Sequence, residues 1–344
     1  MTTPQTFRLP RLSDTFSVFP DNGLNPHYSE CRLQSKEWAS KYYKAVCGPN
    51  MTAYLGDCNF ELLAAYAYPY AKPEGIIKVM DYYNITWIFD EFTDTLPGKE
   101  AAEAAAIVSR TLRNRDYDDG SWLCQIMTDY RRNHIDKLGP NVARRFVEHF
   151  CNYVEGTGTE AELREKNQVL DISGYIAMRR EAVAAQVAFD LVEDCLGLDL
   201  PQYVHEDPAF VSGYMAGVDL IALNNDMVSY NMEQSKGHGG ANIVTVVMNS
   251  KGIGLQSAMD FVHGYCECIT QQLLNARISL LSRPDPVFSR DATRCLEAFG
   301  DWIRGYDEWN FAIERYFGKQ TKLVQEKRIV ELMRPFQGFM ALKD

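Results

Sequence analysis

Leu220-Ile221-Ala222-Leu223-Asn224-Asn225-Asp226-Met227-Val228-Ser229-Tyr230-Asn231-Met232-Glu233 reads as a helix that changes character partway along. Its first turn is apolar, as a buried helix requires. Asn225, Ser229 and Glu233 then recur at i, i+4 and i+8, so their side chains stack over two turns with only a slow rotational drift. An amide oxygen, a hydroxyl and a carboxylate make a hard-oxygen site suited to Mg²⁺. The bland alternative, a polar stripe on an exposed helix, is weakened by that apolar turn. A chance match to this pattern in a chain of ordinary composition is on the order of a few in a thousand, so the string carries real weight.

A second string, Asp90-Glu91-Phe92-Thr93-Asp94, follows the largely apolar and aromatic run Tyr82-Tyr83-Asn84-Ile85-Thr86-Trp87-Ile88-Phe89. Carboxylates at the end of a buried helix face are costly unless paired or metal-bound. Asp90 and Asp94 lie one turn apart, an arrangement that suits ions sharing their shell with water and substrate phosphates. Such a string is common by itself, and an acidic helix end facing water before Leu96-Pro97-Gly98 explains it equally well. Asp90 is the preferred ligand, Asp94 the secondary one, and Glu91 a supporting residue.

Around these strings the apolar period is helical. Leu255, Met259, Val262, Tyr265, Cys266, Ile269, Leu273 and Ala276 are one example, and period-two alternation is nearly absent. Helices are expected near 36–47, 52–67, 75–95, 99–114, 120–136, 140–154, 173–195, 208–235, 254–283 and 290–316, divided by breakers such as Gly48-Pro49-Asn50 and Pro97-Gly98. Short connections favour antiparallel neighbours, so the expected fold is all-α, a single helical-bundle domain over residues 1–344. Residues 1–35, with Pro4, Pro10, Pro20 and Pro26, read as an irregular strap. Residues 318–344 read as a charged C-terminal tail.

Composition narrows the function. The net charge is −11 with no segregated basic patch, which disfavours nucleic acid as a partner. No apolar run is long enough to span a bilayer, and the N-terminus lacks the pattern of a secretory or transit peptide, so the expected location is cytoplasmic, with no membrane anchor. The nine cysteines are dispersed without zinc or disulfide spacing and read as reduced core residues. The six histidines show no metal or acid-base pattern.

With both metal strings in view, the chain resembles class I terpene synthases, specifically the sesquiterpene cyclases of mushroom-forming fungi. The likeness covers nearly the whole chain and includes Gly237, Asn242-Ile243-Val244-Thr245-Val246-Val247-Met248, Arg315-Tyr316 and Leu24-Asn25-Pro26-His27-Tyr28. It implies a class I bundle around a central cavity that ionises and cyclises farnesyl diphosphate. Asp90, Asn225, Ser229 and Glu233 would hold three Mg²⁺ ions. Arg179, which lies 46 positions before Asn225, would sense the diphosphate, with Arg315 and the Tyr316 hydroxyl also donating to it. Its neighbour Arg180 points elsewhere and reads as a surface or salt-bridging residue.

The chain departs from the family pattern at Ala182, a position usually polar, and at Met232, usually lysine. Lys236 is a candidate substitute, against the reading of a solvent-facing lysine. Trp87 and Trp309 are the leading aromatic stabilisers of a carbocation, with Phe60, Tyr66, Phe89 and Trp302 behind them. Gly237-His238-Gly239-Gly240 reads either as a lid over the diphosphate or as a plain connector. Resemblance to the fungal group whose acidic string opens Asp-Glu implies 1,11-closure and a protoilludene-type product, with 1,6- or 1,10-closure and the shorter geranyl diphosphate as open alternatives. The alternatives are a chain-elongating prenyltransferase and a non-catalytic helical binding protein; a monomer or a homodimer is expected.

Overall fold

The computed structural model describes residues 5–46 and 56–334. Pro4, Cys47, the Gly48-Pro49-Asn50 break, the start of the expected 52–67 helix and residues 335–344 lie outside the described residues. The helices are α1 (Leu12–Phe16), α2 (Tyr28–Val46), α3 (Phe60–Ala67), α4 (Pro73–Thr93), α5 (Gly98–Arg113), α6 (Trp122–Asn133), α7 (Pro140–Glu165) and α8 (Ile172–Ala182), followed by α9 (Ala185–Cys195), α10 (Gln202–His205), α11 (Pro208–Lys236), α12 (Ile243–Lys251), α13 (Leu255–Leu281), α14 (Thr293–Ala312) and α15 (Thr321–Lys327). Among the described residues the fold is a helical bundle, all-α apart from one short two-stranded ribbon, as the apolar period led one to expect. One apolar cluster runs from Phe7 to Val330.

Two helices frame the interior. Pro73 starts α4 at the position where a missing N–H costs nothing, and α4 is buried along both faces, which explains its aromatic and apolar run. Pro208 opens α11, with the Asp207 side chain accepting from the Ala209 and Phe210 amides. Gly237, at φ +84, closes it in the left-handed region. Helix α11 packs chiefly on α13 and α14. At Gly217 an added Cβ would stand 2.9 Å from the Phe189 ring, so this glycine sets how closely α9 approaches.

Several expectations change. The helix expected over 140–154 runs on to Glu165, its Gly156 and Gly158 packing closely on Ala182 and Ala102, and α12 stands where no helix was expected. The helix expected over 173–195 is two, because Ala184 adopts φ +60 between α8 and α9; nothing in the apolar period announces an alanine in the left-handed region. The helix expected over 290–316 ends at Ala312, so Arg315-Tyr316 leaves from an irregular segment. The supposed strap holds strand β1 (Thr6–Arg8), α1 and the start of α2. The supposed tail is not loose through its described part: after α15, strand β2 (Ile329–Glu331) pairs antiparallel with β1, Phe7 opposite Val330. Asn231 on α11 donates to the Glu331 carbonyl (2.9 Å) and accepts from the Met333 amide (2.9 Å). The basic residues had suggested solvation, but Val324 and Val330 anchor the segment in the core.

Candidate active site

The end of α4 and the second half of α11 both line one cleft, about 1150 Å³ counting its solvent-open mouth. The floor takes Leu63, Thr86, Ala185, Ala188, Ile221 and Trp302; the rim takes Asp90, Glu91, Asp94, Asn225, Ser229 and Glu233. The helical spacing in the two strings therefore brings them to one place.

On α4, Asp90 is only partly exposed. Burial, and then the neighbouring Asp94 and Glu91, hold its carboxyl well above the usual carboxylate range. Glu91 points to Arg315, which donates to it at 2.9 Å while its guanidinium lies 4.3 Å over the Trp87 ring. Asp94 accepts from Arg164 at 3.1 Å, with His238 3.8 Å from its other oxygen.

On α11, the Asn225 oxygen accepts from Arg179 (2.6 Å), and its amide donates to Tyr306 (2.7 Å) and, more weakly, Tyr316 (3.4 Å). The Ser229 hydroxyl donates back to the Asn225 carbonyl at 2.7 Å, leaving its oxygen lone pairs directed outward as acceptors. Glu233 accepts from Asn242 at 2.9 Å, and burial pushes its carboxyl up to about 7. Glu160 on α7 is likewise pushed up to about 7 by burial, against the opposing pull of Arg179 at 3.5 Å.

Asp226 was legible only as part of the string, and its role is distinct from that of its neighbour. Buried to 1 % exposure, it accepts from Arg179 Nε (3.0 Å), the Tyr175 hydroxyl (2.5 Å) and the Ile243 amide (2.9 Å). It thus fastens α8 and the start of α12 to α11. Arg179 is held by Asn225, Asp226 and Glu160 together. Arg180 instead makes a two-pronged pair with Asp219, at 2.7 and 2.8 Å.

The donor set fits a divalent cation. Asp90, Asn225, Ser229 and Glu233 offer oxygen only, and Asn225 and Glu233 each keep acceptor capacity beyond their present bonds. Lys236 lines the same cleft from the exposed end of α11. Trp87 lines it too, stacked on Phe60 at 4.6 Å.

Trp309 does not line the cleft. It is wholly buried behind Trp87, 6.1 Å between rings, and its indole N–H is spent on the Asn59 carbonyl at 3.1 Å. Its place in sequence before Arg315 misled because α14 ends between them. Phe60, Tyr66 and Phe89 also lie outside the lining, whereas Trp302 is in it. Tyr82, Tyr83, Tyr153 and Tyr306 line the cleft unforeseen, as do Glu160 and Arg164. Glu160 and Arg164 lie beyond the helix end expected at 154, so their i, i+4 spacing could not be read as a shared face; the helix in fact runs to Glu165.

Residues 81–272 match the family described as terpene synthase family 2, C-terminal metal binding. A sesquiterpene synthase of Galerina marginata is 64 % identical over 343 residues, covering 100 % of this chain and 99 % of that protein. The chain belongs to the terpene synthase family. It is a class I sesquiterpene cyclase of the basidiomycete type. Relatives of this synthase include a viridiflorene synthase of Cyclocybe aegerita, 46 % identical over 336 residues (96 % of this chain, 86 % of that one). A Delta(6)-protoilludene synthase of Stereum hirsutum is 31 % identical over 335 residues (96 % and 89 %).

A solved hedycaryol synthase structure has the same fold, with TM-score 0.77 at 23 % identity over 89 % of this chain and 99 % of that one. The matched metal-binding region contains both strings, so the synthase depends on a divalent metal and takes a prenyl diphosphate. No helix among the described residues is long and apolar enough to cross a membrane.

Proposed function

We propose that this cyclase ionises farnesyl diphosphate with Mg²⁺ and closes the resulting cation by 1,11-attack to a humulyl cation, ending at a protoilludene-type hydrocarbon. One observation carries the reading. A single cleft combines an oxygen-rich, cationic rim with a floor of alanine, isoleucine and aromatic side chains, matching a substrate with an anionic head and an apolar tail. The Asp90-Glu91 opening of the acidic string supports 1,11-closure, as does the protoilludene synthase among the relatives. The viridiflorene synthase is nearer in sequence, which makes product identity the decisive measurement.

Asp90, with Asp94 in support, and Asn225, Ser229 and Glu233 would hold three Mg²⁺ ions. Bound there, the ions supply Lewis-acid charge that stabilises the departing diphosphate. Arg179, Arg315, Lys236 and the Tyr316 hydroxyl donate to phosphate oxygens as the carbon–oxygen bond breaks, its electron pair leaving with the diphosphate. Trp302 lines the floor, where a ring face stabilises positive charge without reacting with it, and Trp87, covered here by Phe60 and by Arg315, bares a face as Arg315 moves to the diphosphate. The floor excludes water, so the cation is captured by its own double bonds and the sequence ends with loss of a proton. Trp309 acts in this scheme only by backing Trp87.

Purified protein is incubated with Mg²⁺ and farnesyl diphosphate, with and without isopentenyl diphosphate, and the volatiles are identified by gas chromatography with mass detection. A cyclic C15 hydrocarbon supports the reading. Longer diphosphates, or no Mg²⁺-dependent diphosphate release, would overturn it.

A further inference from the structure

We infer that Arg164 is a further diphosphate-binding residue, held at the cleft mouth by Asp94 and delivered to the substrate when that carboxylate is engaged elsewhere. The inference rests on the cleft being the prenyl diphosphate site. Helix α7 turns its last two turns toward the cleft and presents Glu160 and Arg164 there, one turn apart. Glu160 faces Arg179; Arg164, nearer the helix end, reaches Asp94 at the end of α4.

The cleft-lining cations differ in how firmly they are tied. Arg179 is 13 % exposed and shared among Asn225, Asp226 and Glu160. Arg315 is 5 % exposed, bonded to Glu91 and stacked over Trp87. Both are clamped from several sides. Arg164 is 21 % exposed, and its one ion pair among the described residues joins a single nitrogen to Asp94, itself 38 % exposed. An ion pair this open to water holds weakly. Most of the guanidinium fork is therefore free to take a phosphate two-pronged.

Charge points the same way. Asp90, Glu91, Asp94, Glu160 and Glu233 line the cleft. A multiply anionic head entering past Asp94 meets repulsion unless a cation stands beside that carboxylate. Arg164 is that cation. Any cation drawn to Asp94 also weakens its hold on Arg164, so metal capture and release of the arginine are coupled events at one carboxylate.

A purely supporting arginine that only orients Asp94 would look the same in one variant, so the test is a double-mutant cycle. Inorganic diphosphate is titrated by calorimetry at fixed Mg²⁺ into wild type, R164Q, D94N and the double variant, with R164K as the conservative replacement and R315Q as control. The expected result is a loss of diphosphate affinity of about 10- to 100-fold on Arg164→Gln, the size of a charge-assisted hydrogen bond. That loss persists in the D94N background, and R164K recovers part of it. Farnesol, which lacks the diphosphate, binds wild type and R164Q alike. A loss that vanishes in the D94N background, or no loss while R315Q weakens binding, overturns the inference. No loss in R164Q and R315Q together refutes the cleft reading as well.

Discussion

Asp226→Asn is the sharpest test of how the site is assembled. All three groups that meet this buried carboxylate are donors: Arg179 Nε, the Tyr175 hydroxyl and the Ile243 amide. Asparagine keeps one oxygen and turns an NH₂ toward at least one of them. The Tyr175 hydroxyl has a second acceptor in the Ala241 carbonyl at 3.0 Å, so it can rotate away and accept from the new amide. What remains is the lost charge beside Arg179, which keeps Glu160 at 3.5 Å and the Asn225 oxygen at 2.6 Å, and the Ile243 amide, which loses its acceptor where the new NH₂ takes the oxygen it shares with Tyr175. A charge-assisted bond contributes about 1.5–3 kcal/mol and a stranded donor about 1–3 kcal/mol. With the tyrosine relieved, a net cost of about 2–4 kcal/mol follows, overlapping the lower part of the range for breaking a buried pair.

At roughly 2 °C per kcal/mol for a chain of this size, D226N melts about 4–8 °C lower. Arg179 loses its fixed orientation, so diphosphate affinity falls as well. Differential scanning fluorimetry and a calorimetric diphosphate titration read the two effects. A variant that melts within about 1 °C of wild type with unchanged affinity refutes the anchoring role.

Asn225→Ala and Glu233→Ala lower turnover by about 100-fold or more, at least the loss seen when a ligand's supporting bond is removed; near-normal activity in either removes that residue from the metal site. Trp87→Leu shifts the product mixture by gas chromatography, whereas Trp309→Phe changes it less and costs about 2 kcal/mol, the bond to Asn59 together with the cavity the smaller ring leaves. Burial raises Glu160 and Glu233 from the usual 4.5 to about 7 in the fold, so between those values the native state binds more protons than the unfolded chain. Metal-free protein therefore loses stability as pH rises through that window, and Mg²⁺ binding, which needs Glu233 ionised, releases protons and weakens as pH falls below about 7. Calorimetry in buffers of different ionisation enthalpy measures that release, and its absence near neutrality sinks the claim. Hydrogen exchange over residues 236–242 slows on adding Mg²⁺ and diphosphate if that glycine-rich stretch closes over the site; unchanged exchange leaves it a connector.

Helix-borne features were legible because one turn is a local rule. Asn225, Ser229 and Glu233 needed only their spacing to share a face, and Asp90 with Asp94 likewise. What escaped depends on contacts between distant segments. Whether Trp309 or Trp87 faces the cavity is decided by where α14 ends and by the Asn59 carbonyl, neither of which has a pattern in the chain. Tyr82 and Tyr83 were visible as aromatics, yet a fully buried helix has no polar face to orient it, so their place in the lining was undetermined. Ala184 broke a helix that its composition favours, and only tertiary packing holds such a residue in the left-handed region.

The hydrogen bonds from Asn231 to the Glu331 carbonyl and from the Met333 amide span 100 and 102 residues. On a ribosome the helix that carries Asn225, Ser229 and Glu233 emerges long before the strand that braces its back. The strand also needs β1, from the opposite end of the described chain, before its ladder can close. Nascent chains therefore carry the metal helix unbraced until the last elements arrive. Contacts of that sequence separation form late, so the metal helix gains its brace among the final steps of folding.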